Sequence, residues 1–185
     1  METQLKELFF KTPHGGEILR CIQCGTCSAS CPYADRMLHG PRELFALIRD
    51  GMMGEALGSE TPWFCSSCYQ CMDRCPMEIP VTDIMYSLKQ MSLKLDTVPD
   101  ANKMADLYKA FAANVRAFGK VTDPLVMAVY SMKHPTDAVK NLPLALRLAL
   151  RKRLEALPRK TRSRTAVEKL FSPFESSEGT KENDL

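Results

Sequence analysis

Apolar residues recur every three or four positions in several stretches of the chain, and no stretch bounded by turns alternates as a strand would, so the pattern predicts helices. Leu5, Leu8, Phe9 and Phe10 mark a turn or two of amphipathic helix that the Pro13 to Gly16 segment ends. In HGPRELFALIRDG, residues 39–51, Pro41 sits near a first helical position, Leu44, Phe45, Leu47 and Ile48 follow at helical spacing, and Gly51 stops the run. That segment predicts one short helix. Pro80 opens a second, VTDIMYSLKQMSLKL, where Ile84, Leu88, Met91 and Leu95 return in register. ANKMADLYKAFAANVRAFG places Met104, Leu107, Tyr108, Phe111, Val115 and Phe118 on one face and closes on Gly119. Beyond it, Pro124, Pro135 and Pro143 are expected to mark off shorter helical pieces, the last being LPLALRLALRKRLEAL. The predicted fold class is mostly α, with cysteine-rich turns packed among helices and a helical C-terminal extension.

Composition narrows the class without deciding it. The 185 residues, 45% of them hydrophobic, are enough for one domain or a small domain with an extension. A net charge of +3, from 25 basic and 22 acidic residues, gives no whole-chain argument for nucleic acid. No apolar run approaches the roughly 18 to 20 residues of a spanning helix. The start, METQLKELFFKTPHGGE, lacks the features of a secretory signal. The expectation is therefore a cytoplasmic chain with no transmembrane segment, in which thiols stay reduced and serve as ligands before they serve as disulfides.

The chemistry lies in the cysteines. All eight fall in two copies of C-x2-C-x2-C-x3-C-P, CIQCGTCSASCP at 21–32 and CSSCYQCMDRCP at 65–76. The first three cysteines of each run recur every third residue, in a turn containing Gly25 or Ser67, so their thiolates can converge on one face of a cuboidal cluster. The fourth lies past a longer gap and precedes proline, which directs it towards the other run. Structural zinc favours separated C-x2-C pairs or mixed Cys and His sets, whereas His14, His39 and His134 fall outside any ligand spacing. A disulfide framework leaves the repeated spacing unexplained.

The runs resemble the bacterial-type two-cluster ferredoxin pattern, in which the fourth cysteine of each run ligates the other cluster. Carried onto this chain, that pattern assigns Cys21, Cys24, Cys27 and Cys75 to one 4Fe–4S cluster and Cys65, Cys68, Cys71 and Cys31 to a second. Two such centres imply electron relay. No G-x-G-x-x-G or Walker-type loop is present, and no nucleophile, base and orienter set can be assembled. No catalytic residue is expected. Trp63, Phe64 and Tyr69 flank the second run and Tyr33 follows the first; ordinary packing is the favoured reading over a tuning role. Methionines such as Met52, Met53, Met85 and Met91 read as gap-fillers, and His14 and His39 as surface or capping groups.

The paired runs, HGPRELFALIRDG, WFCSSCYQCMDRCP, and the later FGKVTDP and NLPLALRLALRKR segments together resemble the iron–sulfur C subunit of heterodisulfide reductase over roughly residues 15–160. The resemblance implies a helical ferredoxin-like component of a soluble complex. It would take electrons from the A subunit, a flavin-containing iron–sulfur protein. It would pass them to the B subunit, whose CCG motifs carry the clusters that reduce the disulfide of coenzymes M and B. A hydrogenase or formate dehydrogenase could join the same complex. No CCG motif occurs in this chain, which fits the relay rather than the fused, longer relatives. Two other readings remain: the iron–sulfur component of a respiratory-type 2-hydroxy acid or glycerol-3-phosphate dehydrogenase, and a metal-stabilised structural adaptor.

The organisation expected on this reading is a lead-in over 1–20, a two-cluster ferredoxin-like domain over 21–95, a helical docking extension over 96–170 and a disordered tail over 171–185. The extension carries Arg147, Arg151, Lys152 and Arg153 among leucines, a basic and apolar segment suited to docking on an acidic partner surface. A solvated helix end whose cations complement the dipole, or a membrane or polyanion surface, are the competing readings.

Overall fold

The computed structural model describes residues 1–99, 103–151, 161, 165–167 and 169–170. The tail expected to be disordered, 171–185, lies outside these residues, as do Lys152 and Arg153. Described residues form helices, turns and no strand, so the protein is mostly α. The chain divides into two compact units, Met1–Ala105 and Asp106–Leu185.

In the first unit, α1 (Glu2–Phe10) is followed by a 3-10 turn over Gly15–Arg20 and by α2 (Thr26–Ala29), which lies inside the first cysteine run. Then come α3 (Pro41–Asp50), α4 (Met53–Gly58), α5 (Thr61–Phe64), α6 (Gln70–Asp73), inside the second run, and α7 (Val81–Lys94). The single helix expected between the runs is thus three. Gly51, at φ +86, ends α3 as anticipated, but α4 and α5 have six and four residues and are too short to show a 3.6-residue period.

The core of this unit gathers Phe9, Ile18, Leu44, Phe45, Ile48, Leu57, Ile84 and Leu88, all buried. Full burial of side chains of this size contributes about 1.5–3 kcal/mol each. Polar ties set the register of the helices around it. The Glu2 carboxylate accepts the Gly54 N–H at 3.0 Å, and Lys6 Nζ donates to the Arg49 carbonyl at 2.6 Å, fastening α1 to α3 and α4. Ser92 Oγ donates to the Leu57 carbonyl at 2.6 Å and anchors α7 on α4. Gly15 allows the chain to pass the end of α1, since a Cβ there would lie 2.2 Å from the Phe9 carbonyl oxygen.

The second unit contains α8 (Lys103–Phe118, which begins just before the boundary), α9 (Asp123–Lys133) and α10 (Pro135–Leu150). Gly119 at φ +74 stops α8, and Pro124 and Pro135 open α9 and α10 as expected. Pro143 does not delimit a piece: α10 runs through it. An interior proline costs about 3 kcal/mol and removes one backbone hydrogen bond from α10. Ala110, Asn114 and Val126 are buried, whereas Met104, Tyr108 and Phe111 of the expected α8 face are exposed. On the stripe that is buried instead, Asn114 Oδ1 accepts the Thr122 N–H at 2.9 Å. Lys133 and His134 meet the Asp106 carboxylate at 2.6 and 3.1 Å, and Lys133 holds that carboxyl below its usual range.

Candidate metal centre

Each cysteine run folds by the same backbone recipe. Gln23 and Gly25 in the first, and Ser67 and Tyr69 in the second, take left-handed φ values of +58, +82, +57 and +61 at equivalent positions. Alternating left-handed residues turn successive backbone N–H groups towards one side of a loop, the concave nest that suits anionic sulfur. The Gln23 N–H accordingly approaches Cys21 Sγ at 3.4 Å. One helical turn follows, α2 or α6, carrying the third cysteine, and the fourth comes just beyond its C-cap, at Cys31 or Cys75.

α2 and α6 pack against each other, and this decides which thiols meet. One cavity, about 360 Å³ including its open mouth, is lined by Cys21, Cys24 and Cys27 together with Cys75. A second, about 380 Å³ on the same measure, is lined by Cys65, Cys68 and Cys71 together with Cys31. Val81, the first residue of α7, forms part of both walls. The remaining lining is largely apolar: Phe45, Met77 and Ile79 in the first, Met37, Pro41 and Met85 in the second. Among the described residues no group of three or more His, Cys, Asp or Glu converges closely enough to hold one metal ion.

The electrostatics of the thiols follow from burial. Burial pushes Cys27 up to about 11, and the neighbouring thiolates of Cys21, Cys71 and Cys24 push the same way. Cys31 and Cys71 are raised for the same reason, while Cys24 at the surface is lowered by the Thr26 hydroxyl, 3.4 Å from its sulfur. Four thiolates held together in an apolar cavity repel one another and resist losing their protons. A cationic inorganic core compensates both effects, and sulfur-only donor sets spread around a cavity suit a cuboidal cluster rather than a single ion. The donor set therefore fits one 4Fe–4S cluster in each cavity.

Two cations missed at the sequence level complete the surroundings. Arg49 Nη1 donates to the Cys21 carbonyl at 2.7 Å, and Lys89 Nζ donates to the Cys65 carbonyl at 3.4 Å, so the first cysteine of each run is held by a cation from a helix. Lys89 stands one helical turn after Met85, which lines the second cavity. Its side chain passes over the Tyr86 ring, 5.1 Å from the centroid, and Tyr86 OH meets Ser67 Oγ at 2.6 Å. Burial lowers the Lys89 ammonium from the usual lysine range, opposed by the Cys65 thiolate. Of the aromatics, Tyr33 and Tyr69 line the second cavity, and Trp63 is buried without lining either. His39 pairs with Glu55 at 3.3 Å, away from the sulfurs, and Arg147 and Arg151 lie exposed at the end of α10.

Comparison with known proteins agrees with this donor chemistry. Residues 17–79 match the family described as the 4Fe-4S dicluster domain. The chain is 27% identical over 106 residues to the iron–sulfur C subunit of the CoB–CoM heterodisulfide reductase of Methanopyrus kandleri, covering 57% of this chain and 55% of that protein. It is 33% identical over 104 residues to the C2 subunit of the H2/formate:CoB–CoM heterodisulfide, ferredoxin reductase of Methanococcus maripaludis, covering 52% and 55%. With the C subunit of the ferredoxin:CoB–CoM heterodisulfide reductase of Methanosarcina mazei the identity is 32% over 96 residues, covering 50% and 58%. The chain spans about half the length of the curated relatives it matches. No helix among the described residues is long and apolar enough to cross a membrane. The protein thus carries a two-cluster 4Fe–4S domain and resembles, over about half its length, the iron–sulfur C subunits of heterodisulfide reductases.

Proposed function

We propose that this chain is the electron-relay component of an oxidoreductase complex of the heterodisulfide reductase type, with no substrate site of its own. Cys21, Cys24, Cys27 and Cys75 hold one cluster, and Cys65, Cys68, Cys71 and Cys31 the other. The observation that carries this reading is the pair of four-cysteine cavities, each lined from both runs and both walled by Val81. When bound, such clusters supply one-electron transfer at potentials that the protein adjusts. The chain's own residues orient the thiolates through the left-handed turns, exclude water with Phe45, Met77, Ile79 and Met85, and keep the two sites close by sharing a wall.

The names of the relatives place them in complexes that act on the CoB–CoM heterodisulfide; in the finer reading proposed for this chain, electrons arrive from a flavin iron–sulfur A subunit and leave to a CCG-containing B subunit, as the family resemblance implies. A hydrogenase or formate dehydrogenase supplies them further upstream. Residues 21–95 act as the cluster domain and 96–170 as the docking extension, with α10 offering exposed Leu142, Leu144, Leu146 and Leu150 beside Arg147 and Arg151 to the partner.

Anaerobic affinity purification from the native cell, with co-purifying proteins identified and iron, sulfide and flavin assayed, tests this. Recovery with a large flavin iron–sulfur protein and a CCG protein is the expected result. Recovery with a substrate dehydrogenase, or alone with zinc and no iron, overturns it. Truncation after Leu142 is expected to weaken assembly while iron content stays unchanged; loss of iron in that variant counts against the docking role.

A further inference from the structure

An open groove of about 740 Å³ including its mouth lies beside the two cysteine-lined cavities, walled by Gly25, Ala29, Ala34, Asp35, Gly40 and Arg42 among others. Much of its wall is backbone. A Cβ on Gly40 would lie 2.8 Å from Ser28 Oγ, so the start of α3 closes directly on α2, and the same hydroxyl accepts the Arg42 N–H at 3.0 Å. Gly25 and Arg42 belong to the walls of both the groove and the first cavity, so at Gly25 no side chain stands between the two spaces. A Cβ there would meet Arg42 Cδ at 3.5 Å and nothing else within 4 Å. The second loop has the exposed Tyr69 at the equivalent position, lining its cavity, and the groove touches that cavity only at Met37, which interposes a side chain. Electron transfer between two proteins weakens steeply with each ångström added between their centres. The bare position at Gly25 is therefore where an outside centre can come nearest.

We propose that this groove is the docking surface at which the first site exchanges electrons with a protein partner. Its occupant is a loop of a redox protein that carries a carboxylate to meet Arg42 and an ammonium or guanidinium to meet Asp35. The inference rests on the relay reading above and adds to it the place of contact. The chemistry of the loop follows from the charges on the groove wall. Arg42 and Asp35 are exposed and neither has an ion-pair partner among the described residues, whereas the Glu43 carboxylate is engaged by the Gly40 N–H at 3.1 Å. Open charges of both signs at the edge of a groove select a partner by complementarity and fix the register in which it docks. In the step itself one electron passes between the partner's centre and the first cluster, one being oxidised and the other reduced, and no bond forms or breaks.

The full chain, made in its native cell with a photoreactive benzoylphenylalanine in place of Ala29, is illuminated anaerobically and the cross-linked peptide is sequenced. The expected product joins the groove to a flavin or iron–sulfur protein, through a loop that contains an acidic and a basic residue. A product with a protein that has no redox centre, a product with a second copy of this chain, or no product overturns the proposal. If the probe at Ala29 costs iron, Asp35 carries it instead. With the captured protein purified, Arg42→Glu should weaken its binding to the iron-loaded chain roughly tenfold or more, less so at high salt, and reversing the charge of the cross-linked acid should restore it. Unchanged affinity, or no rescue, overturns the pairing. Asp35→Lys, which lines neither cysteine cavity, repeats the test with the opposite charge if Arg42→Glu does not load. The hyperfine-shifted β-proton NMR signals of the cysteines, assigned by selective labelling, report each site separately. Binding should perturb those of Cys21, Cys24 and Cys27 more than those of Cys65, Cys68 and Cys71, and the reverse order overturns the choice of the first site. Metal analysis of the same samples separates two failures: zinc in place of iron defeats the relay reading, whereas full iron with no cross-link from the groove defeats the docking inference alone.

Discussion

The loop around Cys21 to Cys27 and the loop around Cys65 to Cys71 make the same left-handed turns at the same two positions, yet they are built from different residues. Where the first has Gly25, the second has Tyr69, whose side chain lines the cavity and whose backbone carries the strain that glycine avoids. Where the first is fastened by a screened arginine, the second is fastened by a buried lysine and by Ser67 to Tyr86. The spacing of sulfur is thus the shared requirement, and the surroundings are where the copies have been free to diverge. In the relay proposed above, such divergence would let the two stations differ.

The comparison breaks most visibly at the exchanged cysteines. Cys75→Ser is expected to remove or destabilise the cluster of the first site although the other three ligands belong to the first run, and Cys31→Ser should do the same to the second. Iron content falling towards half in each variant, with the β-proton signals of the opposite run lost, is the expected result. Loss confined to the substituted run would mean that each run holds its own cluster.

A smaller effect tests the strained position. Gly25→Ala should destabilise the loaded protein by about 1 kcal/mol, the conformational cost of a left-handed Cβ, because the added atom meets Arg42 Cδ only at an ordinary 3.5 Å. Tyr69→Gly should recover part of the same amount while uncovering the second cavity. Anaerobic denaturant unfolding measures the first, and the rate of cluster bleaching in air measures the second. If Gly25→Ala is neutral, the left-handed turn does not constrain the first loop.

Smaller again is the tie that only the second loop has. Tyr86→Phe deletes the Ser67 hydrogen bond and should cost at most about 1 kcal/mol, since the pair is exposed. The smallest expected change is at Thr26→Val, which removes the hydroxyl near Cys24 Sγ and lets that thiol return towards its ordinary range in the unloaded protein. Iodoacetamide reactivity of Cys24 against pH should move to higher pH. An unchanged profile would mean that Thr26 has no hold on the sulfur.

The features legible in the sequence were those with a period. Repeated cysteine spacing gave the donor chemistry, and the apolar repeat gave α3 and α7 with the residues they bury: Leu44, Phe45 and Ile48, then Ile84, Leu88 and Met91. What escaped was either too short for a period or set by contacts distant in sequence. α4 and α5 fall below the length at which helical recurrence shows. Arg49 and Lys89 reach cysteines 28 and 24 positions away, and nothing local distinguishes them from other surface cations. Tyr33 follows the first run in sequence but lines the second cavity, because the chain has already crossed over by Cys31. Pro143 looked like a boundary because propensity weighs each residue separately, while α10 forms as a whole.

The exchange of the fourth thiols also bears on how the protein comes into being. During synthesis the first cavity has three of its thiols from residue 27 onward but lacks the fourth until Cys75 has been made, by which point every thiol of the second is present as well. On the proposed assignment the second donor set is complete only at Cys71 and the first only at Cys75, which would make iron–sulfur loading a late event in biogenesis and leave a chain stopped between the two runs unfinished.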